Sequence, residues 1–452
     1  MRANRDQNEI RLRVLLSTGA RSPRELQQLL GISQPTLSRL IARLSGQILT
    51  LGRARAARYA LPRQVRGGGS AFSVYRIDDQ GDARAVGVLH ALQGRGYWWE
   101  RTGRQQGELF DHLPWFIQDL RPDGFVGRAF AQRQGAELGL PRRLNDWNDD
   151  EVLVALSRRG EDCVGDLVVG EESLARYLRA AREPHSPIAA VDRGREYPRL
   201  AQAAMAGEPA GSSAGGEQPK FTVLLEDERL RHLLVKFSYP TTTREGRRWA
   251  DLLICEHLAL QTIREAGFGA AQTGIFEAGG RVFLEVERFD RAGRFGRRAL
   301  VSLGAVDDEF FGRRDNWIAA AGRLEQARMI APEDAAALRW LAVFGILIHN
   351  TDQHFGNVSL VAQEEGRFAL APAYDVLPMF YRPEGSEIAA RRNEVPLPPA
   401  GAHLEWESAR EWAVKFWARA AADERISPEF RQLCGENRES LKWATTAPRL
   451  LV

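Results

Sequence analysis

The sequence predicts an α+β protein: a small helical head with two short strands, then a mixed α/β lobe, then a mostly helical C-terminal lobe. Three observations predict it. Residues 9–44 carry three short apolar-periodic runs punctuated by helix start and stop signals, residues 70–300 alternate strand-like with helix-like runs, and beyond residue 300 the apolar spacing is almost wholly helical. At 452 residues, 44% apolar and 27% charged, the chain has the composition of a globular protein of several domains. The opening MRANRDQNEIRLR has no apolar leader, and no uncharged apolar run reaches about 18 residues, so a cytoplasmic location is expected. Cys163, Cys255 and Cys434 lie far apart without C-x-x-C spacing, which points to buried thiols and to neither a disulfide framework nor a zinc site.

In the head, residues 9–20, EIRLRVLLSTGA, read as a first helix. Ser22 opens a second as its N-cap, with Pro23 in the first turn, Glu25 completing a capping box and Gly31 ending it. Ser33 caps a third, in which Leu37, Leu40, Ile41 and Leu44 recur at i, i+3, i+4 and i+7 and leave Gln34, Thr36, Ser38, Arg39 and Arg43 outward. Two strand-like runs follow around a turn holding Arg53, Arg55 and Arg58, and RQVRGGGS reads as a flexible connection. This is the pattern of a winged helix-turn-helix domain over residues 1–66.

Charge agrees with that reading. Residues 1–66 hold thirteen arginines against three acids, a net +10 in a chain of net +3, which leaves the remainder at −7. A basic head facing an acidic remainder suits a polyanion. Gln34, Thr36, Ser38 and Arg39 are expected at base edges in the major groove, with Arg43 beside them and the wing arginines on phosphates, so double-stranded operator DNA is the expected partner. The alternative is a three-helix interaction module with a solvated arginine face.

Residues 70–200 form the next expected domain, with strand-like AFSVYRI, ARAVGVLHAL and GYWWERTG, helix-like LPWFIQDLRP and DEVLVALSRRG, and a core cluster of Tyr97, Trp98, Trp99, Phe110 and Trp115. Residues 201–300 open with the small-residue loop AGEPAGSSAGGEQP, followed by a hairpin of FTVLLED and RHLLVKFSYP, the helix DLLICEHLALQTIREAG, and two more strands. Residues 301–452 make the helical lobe, whose most apolar helix, DAAALRWLAVFGILIHN, runs into NTDQHFGN.

The order of parts from 211 to 375 carries chemistry: a Gly-rich loop, a strand ending in Lys, a helix bearing Glu, an apolar helix leading into Asp-x4-Asn, and a later Asp. Phosphate transfer from a nucleotide needs each of them. The loop with Gly215 and Gly216 would cover the phosphates and Lys236 would meet them, with Glu256 as the carboxylate paired to that lysine. Asp352 would accept the proton of a substrate hydroxyl, while Asn357 and Asp375 would hold magnesium from two sides. Only four of 62 basic residues are lysines, and two of those, Lys220 and Lys236, fall in this region. In an arginine-rich chain such lysines mark places where a compact ammonium is needed.

SSAGGEQPKF, EVERFDR, HNTDQHFGN and LAPAYDVL resemble the HipA family of serine/threonine kinases, the toxins of bacterial toxin-antitoxin systems, and the fused head resembles its YjjJ-like branch. The resemblance spans residue 75 to the C-terminus. It implies a two-lobed protein-kinase-like fold, ATP with Mg²⁺, a protein substrate, His354 beside the nucleotide, and the backbone of Glu287 to Phe289 as the adenine hinge. It also implies autophosphorylation on the loop, at Ser212 or its neighbour Ser213, where a phosphate of about −2 charge would be repelled by bound nucleotide. The loop AGGEQPK is one residue longer than the family form and holds a Pro, which leaves Lys220 without an assigned role. Typical members rely on a separate antitoxin to reach DNA, whereas this chain brings its own head. Two other readings are a transcription regulator using the kinase fold as a nucleotide sensor, and a toxin acting directly on DNA.

Overall fold

Local capping sets the head. In the computed structural model, which describes residues 2–53, 56–94, 96–103, 107–183, 186–206, 218–363, 366–383 and 394–442, the first helix is α1 (Arg2–Ser17). It begins earlier and ends earlier than the sequence suggested. α2 (Pro23–Leu30) carries the full capping box, with Ser22 Oγ accepting from Glu25 N and Glu25 Oε2 accepting from Ser22 N at 2.7 Å, and it stops at Gly31 in the left-handed region. α3 (Gln34–Arg43) starts at Ser33, but that side chain caps no amide; its hydroxyl lies 3.1 Å from the Thr36 hydroxyl. Leu12, Leu16, Leu26, Leu30, Leu37, Leu40 and Leu44 close the core of the head, with Ile41 only partly buried against it. β1 (Leu49–Leu51) and β2 (Arg58–Ala60) pair antiparallel as a two-stranded sheet.

The chain folds as two units, residues 1–122 with 131–185, and residues 123–130 with 186–452. In the first unit the head is not loosely strung. Leu51 of β1 and Ala60 of β2 bury with Leu92, and Arg63 donates to both carboxylate oxygens of Asp150, which also accepts from Tyr97 Oη at 2.7 Å. Val65 is buried, and its N–H donates to Gly69 O at 2.7 Å, so the run expected to be flexible is a tight, anchored turn. Gly94 approaches the backbone of Thr18 and Gly19 so closely that a Cβ would lie 2.3 Å from it.

The rest of that unit is a five-stranded antiparallel sheet in the order β6-β5-β4-β3-β7, from β3 (Ala71–Ile77), β4 (Ala83–Ala91), β5 (Tyr97–Arg101), β6 (Glu108–Phe110) and β7 (Leu167–Val169). LPWFIQDLRP makes only the short α4 (Trp115–Gln118). The longer α5 (Gly124–Leu138) was hidden from the sequence by three glycines, which lower helix propensity. α6 (Asp149–Arg159) forms over the helix-like DEVLVALSRRG behind an Asn148 capping box, and α7 (Glu171–Arg182), with Leu174, Tyr177, Leu178 and Ala181 at i, i+3, i+4 and i+7, is a helix the sequence reading did not name. Tyr97 and Trp99 are core residues; Trp98, Phe110 and Trp115 are half-buried.

The second unit begins with β8 (Ile188–Ala189) and α8 (Arg193–Met205), and its main sheet runs β11-β12-β10-β9-β8. The strands are β9 (Lys220–Glu226), β10 (Leu230–Phe237), β11 (Thr273–Ala278) and β12 (Arg281–Glu287), with α9 (Arg244–Glu265) in the connection from β10 to β11. Tyr197, Phe221, Phe237 and Phe283 pack as its aromatic core. Beyond the small hairpin β13 (Arg291–Ala292) and β14 (Gly296–Arg297), a three-stranded sheet joins β15 (Val301–Ser302), β16 (Ser359–Ala362) and β17 (Phe368–Leu370). Around it lie α10 (Leu303–Phe310), α11 (Trp317–Gln326), α12 (Pro332–Leu347), α13 (His403–Ala422) and α14 (Pro428–Lys442). The fold is α+β, a sheet lobe followed by a helical lobe, as expected. Among the described residues no helix is long and apolar enough to cross a membrane.

Candidate active site

The hairpin β9–β10 builds the first half of the site. Its register sets Lys220 directly opposite Lys236, so the two side chains share one face of the sheet. Both are almost wholly buried, at 1% and 3% exposure. An ammonium that far from water needs anions near it. Lys236 Nζ donates to Glu256 Oε1 and Oε2 at 2.7 and 2.8 Å and to Asp375 Oδ1 at 2.6 Å. Glu256 therefore reaches the lysine as the sequence proposed, from a helix buried almost all round.

The electrostatics follow from that packing. Burial pulls the Lys236 ammonium down, but the Asp375 and Glu256 carboxylates outweigh it and hold the lysine charged. Burial pushes Asp375 up, yet Lys236 and then Lys220 bring its carboxyl below the ordinary range. Glu256 goes the other way, raised by burial and by the charge of Asp375 beyond what Lys236 offsets. Two lysines and two carboxylates thus share one cluster, in which Lys220, Lys236 and Glu256 are buried and the Asp375 side chain is 25% exposed. Sequence reasoning left Lys220 unassigned, although the scarcity of lysine was the signal for it.

The second half is NTDQHFGN. α12 ends in a Schellman motif: His349 N donates to Ile346 O at 3.1 Å, Asn350 N donates to Gly345 O at 2.8 Å, and His349 takes the left-handed position at φ 62°. His349 is buried beside Phe380, Tyr381 and Trp417, and burial pushes its pKa down to about 4. It is a neutral structural histidine, whereas His354, whose side chain is 56% exposed, faces outward. Asn350 Oδ1 accepts from Asp352 N at 3.0 Å, and Asp352 O accepts from Asn357 Nδ2 at 2.9 Å. Gln353 Nε2 donates to Ala342 O, using space that only a glycine at 345 leaves, since a Cβ there would lie 2.0 Å from that nitrogen. The loop is thereby fixed by backbone and amide groups, and the Asp352 carboxylate, 41% exposed and 3.9 Å from His354 Nε2, is held out of that network.

Asp375 joins the halves. It follows β17 in a segment tied to the end of α9, with Ala271 N donating to Ala373 O and Ala373 N donating to Gly269 O, both at 2.9 Å. Its φ of 58° is a left-handed conformation that costs a non-glycine residue about 1–3 kcal/mol and that clusters at functional sites. His354 lowers the Asp375 carboxyl further, so this loop and the lysine cluster lie within electrostatic reach of each other. Asn357 is buried, and with one amide hydrogen on Asp352 O its side-chain oxygen remains an acceptor.

At the expected hinge, Glu287 N donates to Gln272 O and Arg288 N to His232 O. Phe289 N has no hydrogen-bond partner among the described residues, and the Phe289 ring packs 5.9 Å from Tyr374, whose hydroxyl donates to Gly356 O. In the head, Gln34, Ser38, Arg39, Arg43, Arg53 and Arg58 are exposed and Thr36 is half-buried; Gln34 Oε1 accepts from Gln27. Gly215, Gly216, Ser212, Ser213 and Arg55 lie outside the described residues.

Residues 68–178 match the family described as YjjJ-like toxin, middle domain, and residues 212–439 match the HipA-like C-terminal domain. Over 431 residues, 95% of this chain and 96% of the relative, the sequence is 38% identical to Toxin YjjJ of Escherichia coli strain K12. Two of the solved structures that are similar illustrate the fold. One is the Shewanella oneidensis MR-1 toxin-antitoxin complex of HipA, HipB and operator DNA, at TM-score 0.49 and 15% identity over 82% of this chain and 95% of that one. The other is the Helicobacter pylori proinflammatory kinase CtkA, at TM-score 0.36 and 13% identity over 51% of this chain and 90% of that one.

Proposed function

The chain belongs to the HipA-like family of toxins, and from that premise we propose that it is an ATP- and magnesium-dependent protein serine/threonine kinase, a phosphotransferase. The observation that carries this reading is Lys236 held between Glu256 and Asp375 in a buried cluster, across from a loop that leaves Asp352 free to act. A site for hydrolysing DNA would not need the lysine clamp, and a mere sensor would not need the aspartate.

In the proposed reaction the hydroxyl oxygen of a substrate Ser or Thr attacks the γ-phosphorus of ATP. The new O–P bond forms as the β,γ-bridging P–O bond breaks, ADP departs with that electron pair, and the hydroxyl proton passes to the Asp352 carboxylate. Lys236 and Lys220 bind phosphate oxygens, Phe289 N–H donates to the adenine edge, and His354 sits beside the nucleotide. Among the described residues no group of three or more His, Cys, Asp or Glu could hold a metal unaided. One carboxylate, one amide oxygen, phosphates and water are the donors Mg²⁺ takes, so Asp375 and Asn357 fit it. Bound there, the ion would neutralise phosphate charge.

Ser212 or Ser213 is the proposed site of self-modification, residues 1–66 the proposed contact with operator DNA, and a cytoplasmic protein the proposed substrate, with a separate antitoxin as a further partner. Incubation with Mg²⁺, γ-labelled ATP and cell extract tests the kinase: label on Ser or Thr of an extract protein supports it, and no label on any protein removes it. Intact mass tests the self-modification separately, by a gain of phosphate mapped to Ser212 or Ser213. Lys220→Met is expected to weaken ATP binding about tenfold or more, because a charge-assisted bond contributes about 1.5–3 kcal/mol; calorimetric titration reads it. Arg39→Ala with Arg43→Ala is expected to weaken binding to DNA and to lower the salt slope by about 0.9 for each phosphate the pair no longer neutralises. An unchanged slope would remove both residues from the interface.

A further inference from the structure

Beside the catalytic loop lies a short polar turn, FGRRDN, residues 311–316, between α10 and α11. It is built around a buried anion. Asp307, 1% exposed, accepts from Arg313 N and Arg314 N at 2.8 Å each through Oδ2, and from Arg323 Nη2 at 2.7 Å through Oδ1. Gly312 N donates to Asp307 O at 2.6 Å, and Arg314 takes a left-handed φ of 45°. A non-glycine residue keeps that conformation only where its surroundings over-determine it. They do so here: the Arg314 guanidinium lies against Gly304, where a Cβ would come within 2.5 Å of it, and it binds both oxygens of Asp308 at 2.7 and 2.6 Å.

The turn is fastened to the catalytic loop at two points. Trp317 Nε1 donates to His354 O at 3.2 Å, and the Arg314 guanidinium sits 5.9 Å from the centre of the Phe355 ring. Three arginines lie in this region, and two of them, Arg314 and Arg323, are paired to Asp308, Asp307 and Asp315. The third, Arg313, is exposed, and its side chain has no hydrogen bond or ion pair among the described residues. Its backbone is pinned by a buried carboxylate while its side chain is left to solvent, next to the loop that holds Asp352.

We propose that Arg313 is a substrate-recognition residue, which receives the carboxylate of an Asp or Glu close in sequence to the Ser or Thr being phosphorylated. The inference rests on the kinase reading above and deepens it by naming the substrate class: a short acidic segment of a protein. Placement matters because a cation carried on a pinned backbone reaches acids only at a narrow range of positions, and juxtaposing two cations there disfavours basic segments.

The test uses the full chain and its Arg313→Glu variant with Mg²⁺ and γ-labelled ATP on a library of Ser/Thr peptides varied one position at a time. The wild type is expected to favour Asp or Glu over Lys or Arg at one or two fixed positions by about two- to fivefold, the range of a solvent-exposed ion pair. Arg313→Glu is expected to invert that preference, through KM and with kcat unchanged, and added salt is expected to flatten it in both. The same preference in the variant as in the wild type would overturn the proposal. So would labelling of the protein itself, or of extract proteins, with no peptide accepted. Absence of transfer to any acceptor at all would instead remove the kinase reading beneath it.

Discussion

Asp352→Ala is expected to slow phosphate transfer by about 10²- to 10⁴-fold, the contribution of a positioned general base, while ATP affinity stays largely unchanged. The separation follows from where the loop gets its shape. Asp352 contributes its N–H to Asn350 Oδ1 and its carbonyl to Asn357 Nδ2, and alanine supplies both groups equally well. Among the described residues its carboxylate makes no bond to the lysine cluster, and its ion-pair contact is with His354 Nε2, 3.9 Å away. Removing it therefore takes away a proton acceptor and leaves the phosphate clamp intact. Single-turnover transfer from γ-labelled ATP reads the rate, and calorimetry reads the affinity. A variant that loses ATP binding, or one that keeps transfer within a few-fold of wild type, would take the base role from Asp352. Stability is a useful control, because an exposed side chain outside any network changes it by no more than about 0.5 kcal/mol.

Much of this site was legible in the sequence because its signals are local. A capping box places α2, a lysine at the end of an apolar run places Lys236 on a strand, and Asp-x4-Asn after a long apolar helix places Asp352 and Asn357 on one loop. What was not legible depends on register and on distant partners. That Lys220 faces Lys236 follows from where the β9–β10 hairpin turns, and a one-residue slip would send them to opposite faces. His349 and His354 both flank Asp352 in the sequence, yet the Schellman end of α12 turns the first into an aromatic core while the second faces outward. The tie of Arg63 to Asp150, 87 residues on, turned an expected flexible connection into an anchored one, and no short-range pattern announces such a pair. The three glycines of α5 concealed a fifteen-residue helix whose stability comes from packing, which propensity cannot see.

Lys236→Met is expected to destabilise the second unit by about 3–5 kcal/mol at neutral pH, because removing one member of a buried ion pair leaves the other charges unpaired. Glu256 is fully buried and would face Asp375 without the ammonium that now lies between them. The pH dependence identifies the cause. In the wild type, burial already holds Glu256 above its ordinary range despite the pull of Lys236. Without that pull its folded-state pKa rises further above the unfolded value of about 4.3. A carboxyl raised in this way binds more protons folded than unfolded, so its deficit is absent below the unfolded pKa. It grows as pH climbs towards the folded pKa, at about 1.4 kcal/mol per unit. Asp375 has the opposite sign in the wild type: its lowered pKa gives a stabilisation present above about pH 4 and lost only as pH falls through the folded value. Chemical unfolding of both proteins from pH 5 to 8 should therefore show a gap that widens with pH. Adding Glu256→Gln to the variant should close most of that gap, since the amide cannot charge and the remaining carboxylate keeps Lys220 as a counter-ion. A gap independent of pH would mean that poorer packing, and not an unpaired buried charge, is what the lysine prevents.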